Sequence, residues 1–236
     1  MKKSIAFFVV TVAGLAVVAC SSMGGKTAPV GDVFTKEKQA ELTPDRALEL
    51  LKEGNERFVN NDMTVRNHNS QVRKAVSGQY PKAIVLSCVD SRVPVEDVFD
   101  RGIGDVFVAR VAGNFVNEDI LGSMEFATKV AGSKLIVVMG HEHCGAVKAA
   151  VDGVKLGNIT SLVNSIKPAV RMTSSFEGEK SSKNPEYVSA VCKNNVKNTI
   201  SQIRKRSKII RDLEKGGDIK IVGAMYDMDT GRVDFY

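Results

Sequence analysis

Two short segments of the chain carry side chains that could bind a metal. The first, SCVDSRVP, contains Cys88, Asp90 and Arg92, and the second, GHEHCGA, contains His141 and Cys144. One imidazole and two thiolates form a soft ligand set of the kind that zinc prefers. Three protein ligands leave a fourth position open, as in catalytic rather than structural zinc sites. The residue types therefore predict a catalytic zinc site formed by Cys88, His141 and Cys144.

Other interpretations of these residues remain open. Redox chemistry between Cys88 and Cys144 is one alternative, although it assigns no task to His141. Cys192 would close the site as a fourth ligand, but its place in an apolar helical stripe indicates a buried free thiol. His143 could replace His141 as a ligand or relay protons. The H-x-x-C spacing favours His141, and we expect His143 to be an exposed bystander.

Short apolar runs must position the two segments. They occupy residues 83–86, 106–109, 135–139 and 219–226. Helical patterns lie between them, at residues 116–131, 144–153, 158–172 and 187–215. Continuously apolar runs that alternate with helices predict an α/β fold with a mostly parallel central sheet flanked by helices. A helical arm that begins at Thr43 precedes it. Ligands of such sheets lie beyond the carboxyl ends of the strands, so both segments should meet at one edge.

The start of the chain follows the pattern of a bacterial export signal. Lys2 and Lys3 precede an apolar run that is too short to span a bilayer, and small residues follow. The sequence VVAC resembles the lipobox, which predicts cleavage before Cys20 and its lipidation. A plain signal peptide with an incidental cysteine is the alternative. The predicted organisation is a signal peptide at 1–19, a lipidated cysteine with a flexible tether at 20–42, and one domain at 43–236.

Charge and cysteine usage restrict the function classes. Without Lys2 and Lys3 the formal net charge falls from +6 by two, a mild excess that bears mainly on solubility. The basic run RKRSK has no aromatic residues near it, so nucleic acid is not expected as a partner. Besides Cys20, three thiols remain, an odd number that fits a disulfide framework poorly. We expect an exported cell-envelope lipoprotein on the periplasmic side of a bacterial membrane.

CVDSR followed by GHEHCGAV resembles the β-class carbonic anhydrases, whose signature is C-x-D-S-R with a later H-x-x-C. LKEGNERF, GQYPKAIVLSC, GDVFVARVAGN, GSMEFA and IVGAMYDMDTGRV resemble family segments in the same order, so the resemblance covers residues 45–236. It implies a β-carbonic-anhydrase-like fold with one Zn²⁺ per chain on Cys88, His141 and Cys144. It further implies reversible hydration of CO2 to bicarbonate and a proton, by attack of zinc-bound hydroxide, in a homodimer or tetramer.

The resemblance also assigns roles to residues around the zinc. Asp90 and Arg92 correspond to the family's Asp–Arg dyad. Gln79 falls where some members carry a glutamine that helps to hold substrate, and Phe107 where some carry an apolar pocket wall. The chain has no tryptophan, whereas the bicarbonate pocket of self-inhibited members includes one. We therefore expect an open active site at neutral pH.

The dyad has a physical rationale. Asp90 and Arg92 are two positions apart, so on an extended segment their side chains share a face and can pair. The paired guanidinium keeps the carboxylate ionised, ready to accept a hydrogen bond from the nucleophile. It should also keep Asp90 out of the open zinc position. A loop salt bridge without a catalytic part is the alternative.

Two other functions stay open for the whole chain. The same zinc chemistry could act on carbonyl sulfide or carbon disulfide, which are also linear electrophiles, and the shape of the pocket would decide. A surface lipoprotein with a structural zinc and a binding role is the second, and it would require a fourth protein ligand such as Cys192.

Overall fold

The computed structural model describes residues 30–236 of the chain. The predicted signal peptide, Cys20 and the first part of the predicted tether lie outside the described residues. Within the described range, none of the helices combines the length and the apolar character needed to cross a membrane.

An N-terminal arm precedes the central sheet. It comprises β1 (Val30–Gly31), α1 (Lys36–Ala40), α2 (Pro44–Val59), β2 (Val65–Arg66) and α3 (His68–Ala75). Helix α2 begins as predicted, because the hydroxyl of Thr43 accepts a hydrogen bond from the Arg46 N–H and Pro44 occupies the first turn. Ala47 and Leu51 are buried, so this face of α2 packs on the domain.

The flexible tether predicted for residues 20–42 ends before α1. Gln39 of α1 is buried, and its amide donates to the backbone carbonyls of Pro81 (2.8 Å) and Ala131 (2.9 Å). Leu42 is buried as well. The prediction was wrong over this stretch because small, polar residues resemble a linker in sequence, while the partners that bind Gln39 are distant in the chain.

A five-stranded sheet forms the centre of the fold. Its strands are β3 (Ala83–Ser87), β4 (Val106–Arg110), β5 (Leu135–His141), β6 (Lys220–Tyr226) and β7 (Val233–Phe235). Their order is β4-β3-β5-β6-β7, and the first four are parallel, while β7 runs antiparallel to β6. The predicted mostly parallel sheet is confirmed.

Helices cover both faces of this sheet. They are α4 (Val95–Val98), α5 (Glu118–Glu125), α6 (Gly145–Val151), α7 (Ile159–Met172), α8 (Pro185–Arg206) and α9 (Lys208–Lys215), and a π-helical turn (Phe126–Val130) continues α5. Successive strand residues point to opposite faces. In β3, Ile84 and Leu86 join the core formed with α5 to α9, whereas Ala83 and Val85 join the core formed with α2 and α4.

The helix predicted over residues 187–215 is in fact two helices. The hydroxyl of Ser207 accepts a hydrogen bond from the Ile210 N–H (3.1 Å) and donates to the Glu125 carboxylate (2.6 Å). Ser207 therefore ends α8 and caps α9. The sequence pattern does not show this break, because the periodicity of buried residues continues across it.

Candidate metal centre

Cys88, His141 and Cys144 converge at the carboxyl edge of the parallel sheet. Cys88 directly follows β3, His141 is the last residue of β5, and Cys144 is the N-cap of α6. Because β3 and β5 are parallel neighbours, their carboxyl ends lie side by side. The prediction that this edge brings the two segments together is confirmed.

The three side chains present their ligand atoms to one point. The two sulfurs and an imidazole nitrogen lie within 4.8 Å of one another, and the sulfurs of Cys88 and Cys144 are 4.0 Å apart. All three residues are nearly fully buried, with 4%, 1% and 1% exposure for Cys88, Cys144 and His141. A tetrahedral zinc with Zn–S bonds of about 2.3 Å requires sulfurs roughly 3.8 Å apart. The spacing therefore suits a zinc ion.

The two ring nitrogens of His141 have different surroundings. Nδ1 lies 2.7 Å from the backbone oxygen of Glu142, which can only accept, so Nδ1 carries the proton. Nε2 is buried and has no hydrogen-bond partner among residues 30–236. Buried polar atoms normally find a partner. The lone pair of Nε2 is thus left free for a metal, as expected of a histidine ligand whose other nitrogen donates to a carbonyl.

The two thiols of the centre influence each other's ionisation. The hydrogen bond from Cys144, with smaller contributions from His141 and the Gly113 N–H, lowers the pKa of Cys88 well below its usual range. The same contact with Cys88, together with burial, raises the pKa of Cys144. The pair holds one negative charge readily, and the second thiolate requires a compensating cation. This charge state fits a divalent metal.

Asp90 and Arg92 form a two-point ion pair beside the centre. Arg92 donates from Nε to Oδ1 (2.9 Å) and from Nη2 to Oδ2 (2.8 Å) of Asp90, and its backbone N–H also donates to Oδ1 (3.0 Å). These bonds hold the pKa of Asp90 well below its usual range. The predicted pairing is confirmed, but on a turn closed by the Val93 N–H and the Asp90 carbonyl (3.2 Å), not on an extended segment.

Asp90 lies near the centre without joining its ligand atoms. One carboxylate oxygen is 3.9 Å from His141 Nε2. Among the described side chains, the ligand cluster contains Cys88, His141 and Cys144 alone. Asp90 is therefore placed to contact a molecule bound at the open position.

Cys192 and His143 stay outside the cluster. Cys192 is a free, buried thiol on α8, and burial raises its pKa to about 12. The interpretation of Cys192 as a core thiol is confirmed. His143 is exposed, as predicted, and its ring lies with the carboxylates of Glu142 and Asp229 instead. Neither residue supplies a fourth ligand to the centre.

Two residues near the centre were missed by the sequence analysis. Arg110, the last residue of β4, donates to three backbone carbonyls of the CVDSRV loop: Cys88 (2.9 Å), Asp90 (2.7 Å) and Val93 (3.0 Å). The backbone N–H of Gly113 donates to the sulfur of Cys88 (3.3 Å). Both residues lie in GDVFVARVAGN, which the sequence analysis identified only as resembling a family segment. A single arginine or glycine gives no local sign that it will bind a loop or a cysteine sulfur.

One chain does not bring Gln79 or Phe107 to the metal centre. Gln79 precedes β3 and Cys88 follows it, so a strand of five residues separates them. At about 3.3 Å per residue, that strand keeps the two far apart. Phe107 lies near the start of β4 and lines a groove between β4 and α5. Within the described part of a single chain, neither residue lies at the metal centre, and their roles toward substrate stay predictions.

Comparison with known proteins agrees with this geometry. A family model described as carbonic anhydrase matches residues 83–233. The chain is 36% identical over 195 residues to carbonic anhydrase 2 of Mycobacterium tuberculosis, which covers 80% of this chain and 91% of that protein. A tetrameric β-carbonic anhydrase of Sordaria macrospora aligns with a TM-score of 0.62 and 25% identity, over 70% of this chain and 84% of that one. The Coccomyxa β-carbonic anhydrase aligns with a TM-score of 0.61 and 26% identity, over 69% and 74%.

Proposed function

Because the chain belongs to the carbonic anhydrase family, in its β class, it interconverts CO2 and bicarbonate, and we propose that it does so at one zinc ion held by Cys88, His141 and Cys144. The observation that carries this assignment is the buried Nε2 of His141, which lacks a hydrogen-bond partner within residues 30–236 and faces two thiols. The sulfur and nitrogen donors match the ligands that zinc prefers.

The residues around the ligands set their charge and position. Zinc supplies Lewis acidity, which in a three-histidine carbonic anhydrase lowers the pKa of water from 15.7 to about 7. Two thiolates cancel the formal charge of the ion, so the surrounding hydrogen bonds carry more weight here. Arg110 holds the backbone of the CVDSRV loop, and Gly113 donates to the sulfur of Cys88. Both contacts keep Cys88 directed at the centre.

Asp90 acts on the attacking water. Its carboxylate is ionised at neutral pH and both oxygens are bound by Arg92. An ionised carboxylate can accept the hydrogen bond of the water's proton and so direct the oxygen lone pair at the carbon of CO2. The Arg92 contacts also hold Asp90 away from the fourth ligand position. We therefore expect this position to be open to water at neutral pH.

Substitution of a ligand, with a buried cysteine outside the cluster as control, tests this proposal. We expect the wild-type protein to bind one zinc per chain and to hydrate CO2 in stopped-flow assays. Cys88→Ser should lose most of both properties, because it removes one of three ligands. Cys192→Ser should keep both, since Cys192 does not join the cluster. Full zinc occupancy without CO2 hydration would refute the enzymatic assignment and favour a structural zinc.

We further propose that the active form is a homodimer. Among residues 30–236, strand β4 lies at one edge of the five-stranded sheet and pairs only with β3. A groove of about 730 Å³ lies between β4 and α5 and is lined by Phe107, Ile120 and Phe126, among others, and Phe126 is 49% exposed. A mostly apolar groove along an edge strand suits a second copy of the chain. The Sordaria macrospora relative is described as tetrameric, which supports assembly of more than one copy.

We also propose that the chain is exported and held on the periplasmic side of a membrane by a lipid on Cys20. The pattern of Lys2, Lys3, the apolar run and VVAC supports this. We expect the full-length chain to partition into the detergent phase when produced in a bacterium, and the Cys20→Ala variant to remain in the aqueous phase or as uncleaved precursor. Aqueous partition of mature wild-type protein would contradict the proposed anchor.

A further inference from the structure

A turn next to the metal centre is held by helix α8. The turn is Gly113–Asn114, which follows β4. The side-chain amide of Asn195 donates to the Gly113 carbonyl (2.7 Å), and the hydroxyl of Thr199 donates to the Asn114 carbonyl (3.2 Å). Asn195 and Thr199 are four positions apart on α8, so they lie on the same face. Both are buried.

The same turn contacts a proposed metal ligand. The N–H of Gly113 donates to the sulfur of Cys88. Gly113 has φ +81° and Asn114 has φ +41°, so both adopt left-handed backbone conformations. Glycine adopts such a conformation readily, whereas an asparagine residue in this region is held there by surrounding contacts. The two bonds from α8 hold the turn in the shape that directs the Gly113 N–H at Cys88.

Packing alone does not account for Asn195. It lies among the buried Val191, Cys192 and Val196 on α8. Its Oδ1 has no hydrogen-bond partner among the residues that the structure describes. A buried polar atom without a partner is unfavourable for folding, and an apolar side chain of the same shape avoids that penalty. The contact that distinguishes Asn195 from such a side chain is its bond to Gly113.

We propose that Asn195 and Thr199 are positioning residues of the zinc centre, acting through the Gly113 turn on the sulfur of Cys88. This inference rests on the proposed zinc site. An N–H donor reduces the electron density of a thiolate and fixes its orientation, and neighbours of this kind tune how tightly a metal is held. With two thiolates in the centre, the position of the Gly113 N–H affects both retention of the metal and the strength of one metal–sulfur bond.

The Asn195→Leu variant tests the proposal, because leucine keeps the approximate shape of the side chain and removes the donor. Asn194→Leu is the matched control: Asn194 is the adjacent residue on α8, and its amide donates to the Thr173 hydroxyl (2.9 Å) instead. Zinc transfer to an excess of chelator gives the release rate. We expect release from Asn195→Leu to be about 10- to 100-fold faster than from the wild type, and release from Asn194→Leu to be unchanged.

A second readout separates a local effect from a general loosening of α8. In the cobalt-substituted protein, we expect Asn195→Leu to shift the near-ultraviolet thiolate-to-cobalt absorption band and Asn194→Leu to leave it in place. Wild-type release and an unshifted band in Asn195→Leu would overturn the inference. Equal acceleration in both variants would overturn it too.

If Asn195→Leu does not fold, the Thr199→Val variant tests the proposed positioning role, because this substitution removes only the hydrogen bond to the Asn114 carbonyl. Faster zinc release from Thr199→Val supports the inference, and wild-type release contradicts it. Failure of the wild-type chain to bind zinc at all would instead refute the proposed function, together with this inference.

Discussion

Arg92 is the neighbour that lowers the pKa of Asp90 most. Both of its carboxylate oxygens are bound by the guanidinium of Arg92, which is itself 56% exposed. The residue types and their spacing were enough to predict the pair, because a carboxylate and a guanidinium two positions apart can reach each other in several backbone conformations. The turn that actually joins them was not predicted, since it is closed by a backbone hydrogen bond that any residue at position 93 except proline could make.

Arg92→Met should change how stability depends on pH. The pKa of Asp90 in the folded chain lies below its value of about 3.9 in the unfolded chain. The Arg92 contact therefore stabilises the fold fully above about pH 4, and this contribution is lost as the pH falls toward the folded-state pKa. We expect the difference in unfolding free energy between wild type and Arg92→Met to be largest at pH 5–7 and to shrink below pH 4.

Urea unfolding from pH 3 to pH 7 measures this difference. Arg73→Met, which removes an exposed arginine of α3, serves as the control and should show no such trend. A difference for Arg92→Met that stays constant between pH 3 and pH 7 would mean that the ion pair does not lower the pKa of Asp90.

Strand ends and the turns that follow them form the centre. β3 and β5 deliver Cys88 and His141 to one edge, and the end of β4 delivers Arg110 and then the Gly113 turn. The apolar runs predicted the strands well, because burial on both faces of a parallel sheet requires a continuous apolar run. Arg110 could not be predicted in this way, because its partners are carbonyls, which every residue carries.

Gly113→Ala should destabilise the protein more than Gly104→Ala. Both glycines have left-handed backbones, with φ +81° and φ +80°, so either substitution costs about 1–2 kcal/mol of conformational strain. An added Cβ at Gly113 would lie 2.4 Å from the Cδ1 atom of Ile166, whereas nothing lies within 4 Å of one at Gly104. Overpacking adds roughly 1–3 kcal/mol at Gly113 alone.

Chemical unfolding of the two variants gives the comparison. Gly104→Ala is the control for backbone strain, so the excess loss in Gly113→Ala reports the contact with Ile166. Equal losses in the two variants would show that the turn moves without penalty and that its close approach to α7 is not important for stability.

The entire chain presents one edge of its sheet to a partner in the proposed dimer. The groove along β4 contains Phe107, which the resemblance had placed in a substrate pocket. A single chain does not complete such a pocket at the metal centre. In the proposed assembly, Phe107 lies at the boundary between two copies.

Phe126→Asp should dissociate the assembly. It places a charge in the apolar groove, and a buried unpaired charge at an interface is strongly unfavourable. Val76→Asp, which alters a highly exposed valine just after α3, should leave the assembly intact. Sedimentation velocity at micromolar concentration measures the mass of each. A monomeric wild type, or a Phe126→Asp variant of unchanged mass, would contradict the proposed interface.

Residue types and periodicity were sufficient to predict the parallel sheet, the α2 cap at Thr43 and the convergence of Cys88, His141 and Cys144. These features depend on local patterns: apolar runs, capping residues and soft ligands at strand ends. Contacts between distant segments had to come from the folded chain. They include the Gln39 amide on Pro81, the Asn195 amide on Gly113 and the separation of Gln79 from the centre. Each depends on how segments that are far apart in the chain pack together. Such packing produces no periodic pattern in the sequence of either segment.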